Sequence, residues 1–484
     1  MKQKDFISNL VILIILNLLI KPFWVLGIDV GVQQAVGAAE YGLYFAVFNF
    51  SFLFNMLLDM GITNFNNRNI ARHSQLVGKH LSGILTLKLS LGVIYLIAIF
   101  VVGLLIGYQG FHLKILFWTA INQFLNSFIL YLRSNISALL MFKTDSFLSI
   151  LDRLLMIVFC GILLWGNITD EPFRIEWFIG SQTVAYLISA SVALLIVIKK
   201  ARPPKLYWNI SFFKMILKKS LPFAILYLLM SFYNRIDSVM IERILPDSIA
   251  AYETGIYASA FRLLDAAVMI SYLFSVILLP LFSKMLKERE DLTPIIRVSF
   301  CLLLYFSVTA TVILVLYRMP ILTLLYPEHP QESADVFRFL IPCLIPISFT
   351  YIFGTLLTAN GNMKLLNITS VAGIVVNLIV NFILIPRLHA LGAAMASLST
   401  QSVVAIIQIF IISKELKFPM KKIPFLRGAL YTLFLIPLVC LIHQYYTGPL
   451  LLGILFSGLA SAMLAFFTGL IPLHFIKNLK VKKY

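Results

Sequence analysis

Residues 80–107 read HLSGILTLKLSLGVIYLIAIFVVGLLIG and hold a single charged residue, Lys88. A helix crosses the roughly 30 Å of membrane hydrocarbon in about 20 residues, at 1.5 Å of rise each. Strands of a membrane barrel run to about 10 residues and alternate polar with apolar, a pattern this stretch lacks. Runs of the same kind recur along the whole chain, near 7–35, 41–66, 112–141, 147–166, 177–198, 216–243, 252–283, 295–317, 337–359, 365–385, 390–413, 427–443 and 449–475. The composition agrees: 60% of residues are hydrophobic and 12% charged, where a soluble domain carries about 25% charged. The polar stretches between runs are short, and none alternates strand with helix as an inserted domain would. The chain therefore reads as an all-α polytopic membrane protein of about fourteen transmembrane helices. The first run is too long for the core of a cleavable signal, and no small-residue cleavage motif precedes the next helix.

The basic residues orient these spans. With fourteen crossings, alternate loops share a compartment with both termini. That set holds Lys2, Lys4, Arg68, Arg72, Lys79, Lys143, the 199–219 linker, the 284–297 loop, Lys364, the 414–427 loop and the lysines of the tail, 27 of the 39 basic residues. The opposite loops hold six: Lys114, Arg174, Arg243, Arg318, Arg338 and Arg387. Cytoplasmic loops carry the excess of Lys and Arg, so both termini are expected in the cytoplasm of a bacterial inner membrane. The net charge of +18 is then mostly topology signal and attraction to anionic lipid headgroups. It does not point to nucleic acid, because no folded module is left to present the charge.

Other chemistry is sparse. Cys160, Cys301, Cys343 and Cys440 lie inside predicted spans without a CxxC spacing, as small core residues do. The seven histidines show no paired-ligand spacing, and no P-loop or Gly-rich phosphate cradle occurs. The reading is of a transporter without metal or cofactor rather than an enzyme, driven by an ion gradient (H⁺ or Na⁺), the substrate's own gradient or a partner.

Two basic linkers divide the chain. KKARPPKLYWNISFFKMILKK, residues 199–219, follows the sixth span, and KELKFPMKKIPFLR, residues 414–427, follows the twelfth. The expected organisation is a first lobe over 1–199, a cytoplasmic linker over 200–219, a second lobe over 220–414 and a helix pair with a basic tail over 415–484. An internal echo supports two related halves. Gly42-Leu43-Tyr44 matches Gly255-Ile256-Tyr257, Phe48 matches Phe261, and Ala38–Ala39 and Ala250–Ala251 precede each. Parallel repeats of this kind enclose a central cavity, and rocking of the halves gives alternating access.

Several motifs resemble a known family. Tyr41-Gly42 opens the second span and Leu58-Asp59-Met60-Gly61 closes it. Tyr233-x-Arg235-x-Asp237 lies in the seventh, and Gly255-x-Tyr257 followed by Arg262 opens the eighth. Gly361-Asn362-x-Lys364 and Leu391-Gly-Ala-Ala394 flank the eleventh. Together these resemble the Wzx-type polysaccharide flippases of the multidrug/oligosaccharidyl-lipid/polysaccharide exporter superfamily, in order along nearly the whole chain. The resemblance implies a V-shaped, MATE-like bundle of two six-helix lobes around a lumen for an undecaprenyl-pyrophosphate-linked oligosaccharide. The product would be O-antigen, capsule or exopolysaccharide, with a polysaccharide polymerase as partner. Many relatives have twelve helices, two fewer than here.

Ionisable residues deep in a span cost about 2.5–3.5 kcal/mol each and should face a cavity or a partner. By depth these are Lys21, Arg235, Asp237, Arg262 and Asp265. Arg235, Arg262 and Lys21 are expected to offer counter-charge to a pyrophosphate, Arg with bidentate geometry. The plainer reading is pairing, since Arg262 and Asp265 are spaced i,i+3. Arg235 and Asp237, at i,i+2, do not face each other. Asp59, Lys88, Arg133, Asp152 and Arg153 lie nearer span ends; Asp59 and Arg133 are gating candidates. Three competing functions are a cation-coupled drug exporter using Asp29 and Asp237, a peptidoglycan-precursor flippase, and a glycan polymerase or glycosyltransferase acting from residues 318–337. The acidic side chains of that loop read as a solvated face.

Overall fold

The structure is a computed structural model, and it describes residues 20, 22–63, 66, 70, 76–139, 141–166, 168, 170–200, 207–415 and 423–470. Every regular element among them is helical. A π-helical turn, Trp24–Asp29, leads into α1 (Val30–Leu53), followed by α2 (Asn55–Asp59), α3 (Leu76–Leu105), α4 (Phe111–Ala138), α5 (Phe142–Trp165) and α6 (Ile175–Lys200). Then come α7 (Ile210–Ile244), α8 (Asp247–Glu288), α9 (Thr293–Leu316), α10 (Arg318–Leu325), α11 (Pro330–Leu340) and α12 (Leu344–Ala359). The last three are α13 (Met363–Glu415), α14 (Phe425–Tyr445) and α15 (Leu450–Phe467).

Among the described residues eleven helices are long and apolar enough to cross a membrane. Two backbone breaks separate spans that run on as one helix. Gly37 breaks α1 at φ 80°, ψ 165°, a region essentially reserved for glycine. This falls in the gap between the first two predicted spans. Within α13, Pro386 lacks the amide hydrogen a helix interior needs, and His389 turns the chain at φ 52°, ψ −130°. Each arm of the 53-residue helix is then long enough to span by itself, as the sequence placed spans eleven and twelve. Counting the two arms of α13 separately makes twelve such spans among the described residues; α1, broken at Gly37, lies beside them, and residues 7–19 of the first predicted span lie outside the described residues.

The solvent around these helices shows in what they bury. Asn49, Asn122, Gln123, Asn135, Gln182, Asn377, Asn381, Thr400 and Gln408 are interior, whereas Leu105, Phe410 and Phe467 stand exposed. Water would favour the reverse, and lipid favours this arrangement. Interior polar groups bond to each other: the Thr183 hydroxyl donates to Asn122 Oδ1 at 2.7 Å, and Asn381 Nδ2 donates to Asn377 Oδ1 at 3.1 Å.

The chain forms two compact units, residues 1–258 and 259–484. In the first, a close helix crossing joins α1 to the start of α8. A Cβ on Gly42 would lie 2.0 Å from the Ala251 carbonyl oxygen, and one on Gly255 would lie 2.0 Å from that of Ala38. The second unit contains the C-terminal helix pair, α14 and α15. Every fourth residue on one face of α15 is small and buried: Gly453, Ser457, Ser461 and Ala465. Tyr317 and Tyr305, at the end and on the face of α9, bring their hydroxyls to 3.4 Å from Ser457 and Ser461, respectively. On α14, Tyr431 meets Thr309 at 2.5 Å and Gly428 admits the Leu304 side chain. Small residues allow close helix approach in lipid, and the hydroxyls add bonds across it. The pair is thereby fastened to the ninth span.

Residues 318–337 are more ordered than a solvated loop. They fold into α10 and most of α11, with His329 buried and its Nδ1 2.9 Å from Ser333 Oγ. Burial holds the His329 imidazole below its usual range. Glu328 and Glu332 remain outward, as expected of a solvated face.

Candidate functional site

The site grows from two facing stripes of the first unit. On α7, Tyr227, Ser231, Arg235, Ser238 and Glu242 recur at intervals of three and four, along one side of the helix. On α1 and α2 the residues Asn49, Phe52, Asn55 and Asp59 recur likewise. The stripes meet in antiparallel register. Asn49 Nδ2 donates to Ser238 Oγ at 3.0 Å, and the Arg235 guanidinium lies 5.4 Å from the centroid of the Phe52 ring. Tyr227 falls within electrostatic reach of both Asp59 and Arg235. Helices two and seven thus share a polar seam with Arg235, half-buried, near its middle.

An ion pair closes one end of the seam. The Lys88 ammonium, 1% exposed, donates to Asp59 Oδ1 at 2.6 Å, to the Leu58 carbonyl at 3.0 Å and to Ser127 Oγ at 3.0 Å. Asp59 also accepts the Thr63 amide at 3.3 Å and its hydroxyl. Just past Asp59, Met60 and Gly61 take left-handed conformations, and a Cβ on Gly61 would come 2.6 Å from the Ser220 carbonyl oxygen of α7. At the other end the Arg243 guanidinium grips Glu242, and its Nη1 donates to the Ile106 carbonyl at 3.0 Å. His112 Nε2 lies 3.1 Å from Glu242 Oε1, and the ring stacks on Tyr108. Burial, reinforced by the Glu242 carboxylate, drives the Tyr108 phenol upward from its ordinary range.

The sequence candidates fall as follows. Lys21 lies outside the described residues. Asp237 is buried and accepts the Tyr257 hydroxyl at 2.9 Å. Arg262 and Asp265 lie half-buried on one face of α8 in the second unit. Arg133 is ion-paired at 2.8 Å with Asp145 in the first turn of α5. Asp29 is buried at the end of the π-helical turn. Tyr44, Tyr233 and Tyr257 are buried. Asn360-Gly361-Asn362 is a tight turn, with Gly361 at φ 82° and Asn360 Nδ2 donating to Asn362 Oδ1 at 2.5 Å.

Sequence reasoning missed the Lys88–Asp59 pair, the Glu242–Arg243–His112 cluster and the buried Asn377 and Asn381. For the asparagines a signal existed, two amides spaced i,i+4 in an apolar span. Among the described residues no three His, Cys, Asp or Glu side chains converge as a metal site.

Comparison with known proteins bears on what such a seam serves. The chain shares its fold with a structure described as lipid II flippase MurJ in an inward closed conformation. Identity is 16%, coverage 97% of this chain and 99% of that one, and the TM-score 0.71. It also matches an inward-facing multidrug resistance MATE family transporter of the MOP superfamily, at 15% identity, 84% and 99% coverage and a TM-score of 0.65. A MOP superfamily transporter from Pyrococcus furiosus matches at 15% identity, 85% and 95% coverage and a TM-score of 0.63. No individual curated protein sequence matches the chain. A model described as MatE matches residues 222–383. The model described as polysaccharide biosynthesis protein matches residues 6–286, more than half of the chain. The chain is a multi-pass membrane protein that belongs to the polysaccharide biosynthesis protein family.

Proposed function

We propose that this protein is a flippase. It moves undecaprenyl-pyrophosphate-linked oligosaccharide units across the cytoplasmic membrane by alternating access, for assembly of a surface polysaccharide. The observation that carries the reading is Arg235, a guanidinium on the polar seam of α7 at mid-span depth. An arginine there costs about 2.5–3.5 kcal/mol to insert, a cost that a pyrophosphate substrate would repay through charge-assisted, bidentate hydrogen bonds. Membership of the polysaccharide biosynthesis family supports a glycan cargo, and the fold match to a lipid II flippase supports a lipid-linked one. In this reading Arg262, Asp265 and Lys21 join Arg235 and Asp237 along the substrate path, both termini are cytoplasmic, and a polymerase receives the product.

The experiment is deletion in the native host with analysis of surface polysaccharide and lipid-linked intermediates. Loss of the polymer, with lipid-linked units retained facing the cytoplasm, is expected. Intact polysaccharide together with altered dye efflux would instead favour a second reading, a cation-coupled exporter. That reading draws on the MatE match over 222–383 and on the buried Asp29 carboxylate, a candidate H⁺ or Na⁺ site.

A further inference from the structure

A fixed aromatic and basic segment stands at one membrane edge of the first unit. Its depth follows from α3. At the far end of that helix the Ile106 carbonyl accepts from Arg243, whose guanidinium, with Glu242 and His112, marks the polar boundary. About 20 residues of helix span the hydrocarbon, so counting back from Ile106 puts the other edge near Thr86. Thr86 Oγ1 accepts the Tyr207 amide at 2.9 Å. Tyr207 and Trp208 therefore lie at headgroup depth.

The segment is held there by bonds on its inner side. Asn209 Oδ1 accepts the Phe212 amide at 2.9 Å and starts α7, while Asn209 Nδ2 donates to the Tyr207 hydroxyl at 3.1 Å. The Phe212 ring fills the space left by Gly83, where a Cβ would come 2.7 Å from it, and packs edge-on to His80. Phe213 is buried and meets Trp208 at 6.1 Å. What faces outward is apolar and cationic. Trp208 is 70% exposed and Ile210 68%, with Tyr207 and Met215 beside them. Lys199 and Lys200 at the end of α6, and Lys214 and Lys218 on α7, are exposed. No acidic residue occurs between Glu176 and Asp237, so no carboxylate of the segment or its flanks answers the four lysines.

We propose that residues 207–218 form a prebuilt foot that binds anionic phospholipid headgroups, with Trp208, Tyr207 and Ile210 seated at the acyl boundary and the lysines on the phosphates. By the loop-charge reading the leaflet is the cytoplasmic one. Tyrosine and tryptophan favour this depth because one end of each ring is apolar and the other hydrogen-bonds. Lysines there are drawn to anionic headgroups within a Debye length. The occupant is lipid rather than a soluble partner because the exposed rings sit where the bilayer surface itself must lie.

The test isolates Trp208 by subtracting the fluorescence of Trp208→Phe from that of the intact chain in nanodiscs, which makes it independent of orientation and of transport. Brominated phosphatidylglycerol, diluted in phosphatidylcholine, is expected to quench the Trp208 signal at about one tenth the mole fraction that brominated phosphatidylcholine requires. Lys214→Ala/Lys218→Ala or 1 M salt should remove most of that preference. Equal quenching by the two lipids overturns the headgroup assignment. Quenching by aqueous iodide but by neither lipid overturns the foot altogether. The intact-chain measurement decides both even if the double variant inserts poorly.

Discussion

Lys88 is fully buried, and its three oxygen partners replace water around the ammonium. Its carboxylate partner is less enclosed: Asp59 is 29% exposed. The asymmetry gives a prediction. Removing one member of a buried pair costs about 3–5 kcal/mol because the other charge is stranded, but a stranded Asp59 can still reach solvent, whereas a stranded Lys88 cannot. Asp59→Asn should therefore lower the melting temperature of the detergent-solubilised protein more than Lys88→Met does. The double variant should recover part of the loss, since replacing both charges is often close to neutral. Melting of Asp59→Asn at the intact protein's temperature would show that the pair does not hold the fold. The sequence marked both residues as ionisable and near a span end. It gave no link between them, because they are 29 positions apart on different helices and no periodicity relates two helix faces before they pack. The Glu242–His112 contact, 130 positions apart, was hidden for the same reason.

Helix boundaries were far more legible, since glycine and proline act locally. The breaks at Gly37 and just after Pro386 fall where hydropathy and breakers placed them, because φ near +80° and the missing proline amide are properties of single residues. The internal echo was legible as a spacing, and its physical content became visible only in the packed helices. Positions 38 and 42 echo 251 and 255, and the contacts are reciprocal: Gly42 lies against Ala251 and Gly255 against Ala38. A self-complementary crossing of this kind requires a small residue at both equivalent positions. Alanine at either would set a methyl 2.0 Å from a backbone oxygen, which no rotamer change relieves. Overpacking typically costs about 1–3 kcal/mol, and backbone crowding belongs at the upper end. Gly42→Ala and Gly255→Ala should each reduce folded yield and melting temperature to a similar extent. Gly458→Ala, where a Cβ meets nothing within 4 Å, serves as the control. A stable Gly255→Ala beside an unstable Gly42→Ala would mean that the echo is not a structural equivalence.

For the molecule as a whole, composition, loop charges and span lengths were sufficient for the fold class, because lipid as solvent leaves few alternatives to a helical bundle. The substrate path was legible only as a set of costly residues, since depth in a span shows that a charge needs a reason but not which one. Arg235 allows the reasons to be separated. If it serves only packing, its aliphatic stem and its stacking on Phe52 are what matter, and Arg235→Met should keep both stability and transport. If it meets a pyrophosphate, charge and fork geometry matter separately: Arg235→Lys keeps the charge but loses the bidentate fork. Transport of lipid-linked glycan in the deletion host, normalised to inserted protein, should then fall in the order arginine, lysine, methionine. The methionine variant should be reduced at least tenfold, equivalent to about 1.4 kcal/mol. Thermal stability should follow no such order, because folding does not depend on the contact with the pyrophosphate. Equal transport by all three proteins would remove Arg235 from the substrate path and leave the polar seam of α7 as a device of helix packing.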